Sequence, residues 1–224
     1  MLSLLEKMML AAIDERKNKI TWRSHNLVRF GLKGAVVLKL AELNKIRIEN
    51  KKIVVIDESY TGDDILDFVL KHFSDTKRPL RLSSWIYGYS ANNKEIKNRA
   101  LNRLEDKGII TQEETRVLVF FTISSYIISG SDKKAEVSKC IHDAFFKSKD
   151  QVAKDDAFLA SLITICGFTK PFLSGQEIKE SKEKIKLIKK GEYYPIENNT
   201  LKEVIKAVGS AIASQTAAVA SAGT

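Results

Sequence analysis

A chain of 224 residues that is 44% hydrophobic and 29% charged falls in the globular range, which excludes intrinsic disorder and fibrous repeats. Its 37 Lys+Arg against 28 Asp+Glu give a net charge of +9 and a sequence pI near 9.4, so the expected partner is anionic: a lipid headgroup, a nucleic acid or a phosphorylated ligand. Two cysteines far apart, Cys140 and Cys166, indicate neither a disulfide framework nor a zinc site and fit a reducing, cytoplasmic compartment. Met1 to Ala12 carries no basic leader and no small-residue cleavage site. No stretch approaches the ~20 apolar residues of a helical span, so any membrane contact is expected to be peripheral.

Helical periodicity dominates. Leu4, Leu5, Met8, Met9, Ala12 and Ile13 recur at three- and four-residue spacing after a Ser3 cap and predict an amphipathic helix ending near Asn18. Leu32, Val36, Leu40 and Leu43 predict a second. Alternation on either side of Asn50 and Lys51 predicts a hairpin from about Ile46 to Ile56. Thr61, three residues before Asp64, opens an apolar stripe of Ile65, Phe68, Val69 and Phe73 that reads as a capped helix. Asp63 and Asp64 then read as first-turn acids favoured by the helix dipole, with a catalytic or metal-binding carboxylate pair as the other reading. Trp85 and Ile86 precede a helix from about Asn93 to Lys107, stopped by Gly108. The β-branched, aromatic run that follows predicts a hairpin over 115–129 with its turn at Ser124-Ser125. Helices are predicted from Asp132 through Phe145, from Phe158 to Ile165, from Gln176 to Lys190 and from Leu201 to Ala213. The last residues, 216–224, are expected to fray as a flexible tail behind one domain over 1–215.

The positive charge is uneven. Arg16, Lys17, Lys19, Arg23, Arg29 and Lys33 form one window with no acid, and Lys77, Arg78, Arg81, Lys94, Lys97, Arg99 and Arg103 form another against Glu95 alone. Each window is +6, together more than the whole chain's +9, so the remainder is net acidic. Either each window is a solvated face, or folding joins them into one anion site. Each lies beside a tryptophan, Trp22 or Trp85, which suits the core or a membrane interface. The apolar strands around Val119, Phe120, Phe121, Ile123 and Tyr126 must be buried, paired with another subunit, or inserted into an interface.

No GxGxxG, P-loop, GxSxG or HExxH motif is present, and His25, His72 and His142 are isolated from one another. An enzyme, a cofactor and a metal are not expected. A basic helix followed by a hairpin also resembles a winged-helix module, which makes a nucleic-acid binder the alternative function. Its wing would be basic, whereas Val117 to Ser129 contains no charge.

The order of an LLEKMMLAAID helix, GLKGAVVLKLAELNKIRI (31–48), VVIDESYTGDDILDFVLKHF (54–73), SSWI (83–86) and NRLEDKGIIT (102–111) resembles the Golgi phosphoprotein 3 family over about Leu2 to Ile205. Tyr60 stands where the family's turn before Thr61-Gly62-Asp63 usually has proline. The resemblance implies a mainly α, single-domain helical bundle wrapped by amphipathic helices, with small β-hairpins that include a protruding hydrophobic one. It implies a non-enzymatic peripheral protein that binds phosphatidylinositol 4-phosphate or a similar anionic phospholipid. An adaptor role for the cytoplasmic tails of membrane enzymes, and a homo-oligomer through the 115–129 hairpin, would go with it. On this resemblance Lys33 fills the basic position of the family's GLRG-like turn, and Lys94 and Lys97 fill a basic pair three apart. Trp22 is the candidate aromatic, although ungapped counting from Lys33 reaches Ser24 instead, and Arg23 and Arg29 would support the site. Lysine replaces the family's common arginine, so it meets phosphate as a point charge rather than a fork. Localisation is expected on the cytoplasmic side of a membrane, the Golgi if the source is eukaryotic; a divergent or prokaryotic member would meet another anionic lipid.

Overall fold

The structure, a computed structural model, describes residues 1–21, 24–88, 91–118, 121–194 and 199–222; at 91, 117–118, 121–122, 219–220 and 222 it describes the backbone alone. The fold is mainly helical, with small two-stranded antiparallel sheets. Its centre is α1 (Leu4–Ala12), which is capped by a Ser3–Glu6 capping box and is buried along its entire length. A helix buried all round, rather than on one face, belongs to the middle of a core. The two charges on α1 are accordingly paired: Glu6 with Lys107 at 2.6 Å and Lys7 with Asp156 at 2.7 Å. Helix α1 is thus shorter than predicted and not amphipathic. Ile13–Asp14 (β1) and Lys19–Ile20 (β2) form a short hairpin where the helix was expected to continue. The Asp14 carboxylate accepts the N–H groups of Arg16 and Lys17, and Asn18 takes a left-handed φ of 49°, so local polar side chains outcompete the helix.

A π-helical turn, Leu27–Gly31, leads into α2 (Leu32–Glu42), which lies against α1. Strands β3 (Ile46–Glu49) and β4 (Lys52–Val55) form the predicted hairpin, with positive φ at both Asn50 and Lys51 as a type I′ turn requires. Then come α3 (Asp64–Ser74), a short α4 (Leu82–Tyr87) that the sequence did not disclose, and α5 (Ala91–Asp106). Gly108, at φ 66°, ends the α5 segment as predicted.

The hairpin that follows is longer than expected: β5 (Ile110–Leu118) pairs with β6 (Phe121–Ile128). Ser124 and Ser125 are therefore not its turn but sit mid-strand opposite Glu114 and Glu113. The run from Thr111 to Arg116 is polar throughout, so no alternation announced it as a strand; its pairing with β6 begins at Ile110 opposite Ile128. The hairpin's base is held in the fold. Tyr126 is 6% exposed and its N–H donates to Asn18 O at 2.7 Å, whereas Glu113 to Arg116, Ile123 and Ser124 are exposed. Val119 and Phe120 lie outside the described residues, and of Phe121 only the backbone is described.

Helices α6 (Ser131–Phe146) and α7 (Lys154–Ile165) follow, and α7 packs on α1 and α2 with Ala157 to Thr164 all buried. The predicted 176–190 helix is two, α8 (Gly175–Glu180) and α9 (Lys182–Lys189), divided at the buried Ser181. Helix α10 (Thr200–Ala222) crosses α2, α4 and α7 and runs nine residues past its predicted end at Ala213. The alanine-rich sequence there has the highest intrinsic helix propensity. Both cysteines are free, and no helix among the described residues is long and apolar enough to cross a membrane.

Candidate anion site where α2, α4 and α5 meet

Lys33 is the second residue of α2, two after the glycine that ends the π turn, and helical geometry there turns its side chain inward. Only 1% of it is exposed. Its Nζ donates to Trp85 O at 2.6 Å and Gly88 O at 2.7 Å, and lies 5.0 Å from the centre of the Trp85 ring. Both carbonyls belong to the end of α4, where outward-pointing C=O groups carry the negative end of a helix dipole. No carboxylate among the described residues pairs with it. Burial, with a further push from the Arg29 charge, lowers the Lys33 ammonium from 10.5 to about 8.

Gly88 O also accepts from Asn93 Nδ2 at 3.4 Å, which ties Lys33 to the first turn of α5. That turn contains no acid, and Lys94 and Lys97 follow on one face of α5. Cations at a helix N-terminus oppose the dipole, and here they are also not neutralised: neither lysine has an ion pair among the described residues. Lys97 is half-buried, and burial followed by the Lys94 charge lowers its pKa. In the π turn that precedes α2, Arg29 lies 5.1 Å over the Phe30 ring, and burial followed by Arg29's charge lowers the pKa of His25. Around the same junction three buried polar atoms have no hydrogen-bond partner: Trp85 Nε1, Asn92 Nδ2 and Asn93 Oδ1. Orphaned buried polar atoms are uncommon, and two donors, Trp85 Nε1 and Asn92 Nδ2, with one acceptor, Asn93 Oδ1, fall within eight residues of one another.

The fold therefore joins Lys33, the end of α4 and the first turn of α5 at one carbonyl, with Arg29's charge felt at Lys33 and Lys94's at Lys97, and the cations have unequal roles. Lys33 sits behind the site, fastened to the backbone, rather than reaching into solvent as a ligand-facing lysine would. Lys94 is exposed and Lys97 half-buried. Trp22 and Arg23 lie outside the described residues. The π turn at Leu27–Gly31 holds more residues per turn than an α-helix, so an ungapped count back from Lys33 to an aromatic position passes through irregular geometry. Trp85, Asn92 and Asn93 were missed by sequence reasoning. The proximity of Trp85 to the second basic window was a usable signal for the first; nothing local distinguishes the asparagines.

The rest of the second window is elsewhere. Arg103 donates to both Asp63 and Asp64, Arg99 to Asp64 at 2.8 Å and to Glu95 at 2.7 Å. Asp63 is the N-cap of α3, accepting from Ile65 N at 2.9 Å and Leu66 N at 3.1 Å, while Thr61 instead donates to Asp67. The Asp63–Asp64 pair is thus a helix cap clamped by two arginines, the first of the two readings. Tyr126, expected on the inserting hairpin, is packed at that hairpin's base.

Fold and cluster together define a mainly helical scaffold with a lysine-rich junction of α2, α4 and α5 and no membrane-spanning helix among the described residues. The family model of Golgi phosphoprotein 3 (GPP34) matches residues 4–211, nearly the whole chain, and the chain belongs to that family. Membership is consistent with a Golgi-associated, lipid-binding adaptor.

Proposed function

We propose that this protein docks peripherally on anionic membranes and holds a phospholipid headgroup, phosphatidylinositol 4-phosphate or a similar phosphate, at the α2–α4–α5 junction. The observation that carries the reading is the combination of lysines without carboxylates, Lys94 and Lys97, and a buried donor without a partner, Asn92 Nδ2, at a helix N-terminus. A phosphate supplies negative charge and acceptor oxygens, and helix N-termini favour it. Lys94 and Lys97 would meet the phosphate, Asn92 Nδ2 would donate to it, and Lys33 and Trp85 would hold the floor of the site. The role inferred is binding rather than catalysis. The exposed part of the hairpin, with Ile123 and the flanking Phe121, is the proposed second contact, with the bilayer or with another copy of the chain. Capture of cytoplasmic tails of membrane enzymes is compatible with this arrangement. A duplex-binding winged helix fits less well, since its wing would carry Glu113 and Glu114 outward and its helix would present Arg99 and Arg103 already paired with acids.

Liposome cosedimentation across phosphatidylinositol 4-phosphate, phosphatidylglycerol, cardiolipin and neutral phosphatidylcholine tests the proposal. Each lysine near an anionic surface contributes about 1 kcal/mol, so Lys94→Ala/Lys97→Ala should weaken binding roughly 30-fold at low salt. Wild-type protein that binds neutral vesicles equally well, or a double variant that binds like wild type, overturns it.

A further inference from the structure

Helix α9 and the chain just after it carry Lys182, Lys186, Lys189 and Lys190, all exposed. The spacing i, i+4, i+7, i+8 puts them along one side of a helix. Glu183 is the one acid within that stretch; it lies 3.8 Å from Lys186, with both side chains well exposed. A fifth lysine, Lys184, turns the other way. It donates to Phe145 O and lies 5.9 Å from the Phe146 ring and 5.2 Å from the Tyr193 ring, which fixes α9 against the end of α6. Ile188 anchors the inner face at 0% exposure. Leu187, 40% exposed, stands at the edge of the lysine row, whereas Phe146 lies on the Lys184 side and stacks on His142 with ring centroids 4.6 Å apart.

Lys186, Lys189 and Lys190 are in or just after the last turn, where the helix dipole favours cations. Lys182 is not: it is the first helical residue, where the dipole opposes it. Like charges four apart also repel, and the row is relieved only by the exposed Glu183 beside Lys186 and by Glu192, which is paired with Lys202 and also feels Lys190. A nucleic-acid backbone would match the charge but leave the exposed Leu187 without a role. A bilayer uses both, the lysines at the headgroups and the leucine at the acyl boundary.

We propose that this α9 face, with Leu187, is a second membrane contact that recognises the bulk negative charge of a bilayer rather than one headgroup. It shares with the reading above only the premise that the partner is a membrane, and it uses none of the same residues.

The test uses phosphatidylcholine vesicles containing phosphatidylserine and no phosphoinositide. Wild-type protein is expected to cosediment with them at low salt. Lys182→Gln/Lys186→Gln/Lys190→Gln removes three exposed charges and should weaken this binding on the order of 100-fold, while the corresponding triple Lys→Arg variant retains it. Circular dichroism on both variants checks that they remain folded. Lys94→Ala/Lys97→Ala, run in parallel, is expected to lose much more on phosphatidylinositol 4-phosphate vesicles than on phosphatidylserine. A Gln variant that binds phosphatidylserine vesicles like wild type overturns the α9 proposal and leaves the headgroup site standing; the reverse pattern overturns the headgroup site alone. Loss of duplex DNA binding, with vesicle binding unchanged, would assign the α9 face to nucleic acid and also overturn it.

Discussion

Burying Lys33 makes a prediction that can be checked without any ligand. In the unfolded chain its ammonium titrates near the ordinary 10.5, and in the folded protein near 8. Between those values the unfolded state holds the proton more tightly, so the folded state gains stability as pH rises through that window. Below about pH 8 both states are charged and the full desolvation penalty is present. Integrating the linkage relation from pH 7 to 9.5 gives a gain of about 2 kcal/mol attributable to this one side chain. Other groups titrate in the same range, among them Cys166, whose buried thiol is pushed up and acts in the opposite direction. The measurement is therefore a difference: urea unfolding of wild type and Lys33→Met at each pH, followed as ΔG of one minus ΔG of the other. Met preserves the volume and removes the charge, so loss of the Trp85 and Gly88 carbonyl contacts enters mainly as an offset at neutral pH, and the slope reports Lys33. The difference should move in favour of wild type by about 2 kcal/mol over the window. A flat difference, or one that moves against wild type as pH rises, would refute a desolvated ammonium and with it the floor of the proposed site.

Two further expectations concern the scaffold. Asp63→Ala removes the α3 N-cap and the Arg103 clamp together and should cost about 2 kcal/mol in chemical denaturation at neutral pH. Burial pushes the Asp63 carboxyl up, but Arg103 and the N–H groups of Leu66 and Ile65 more than offset it and hold it below 3.8. That stabilisation is present above about pH 4 and lost as pH falls through the folded value, so the gap between wild type and variant should close in acid. Gly34 lies where α2 meets α7 and α10, and a Cβ there would stand 2.8 Å from Leu162 Cδ2 and 3.2 Å from Val204 Cγ1. Gly34→Val should therefore destabilise by about 1–3 kcal/mol and lower Tm by several degrees in a thermal melt.

The legibility of the elements follows the range of the forces that make them. The β3–β4 hairpin was readable because Asn50 and Lys51 settle its turn locally, and α5 because Gly108 supplies a left-handed stop. The β5–β6 turn was misread because two serines suit a turn or a strand equally, and only pairing with the 110–118 segment decides between them. Helix α1 was read as amphipathic because Glu6 and Lys7 sit among its apolar residues. Their ion-pair partners, Lys107 and Asp156, are roughly 100 and 150 residues away in sequence, beyond any local pattern.

By itself, the sequence determined the helical class, the family resemblance, the positive balance and the lysines worth examining, since each is a property of composition or of short-range spacing. Tertiary structure decided which charges remain unneutralised. Arg99 and Arg103 belong to the same basic window as Lys94 and Lys97, yet α3 brings Asp63 and Asp64 to the arginines and no carboxylate among the described residues to the lysines. The tertiary fold also turned Lys33 inward onto two carbonyl groups and left the α9 lysines outward in a row. Charge sums are additive along a chain, but neutralisation depends on distances of a few ångströms, and those exist only once the helices have packed.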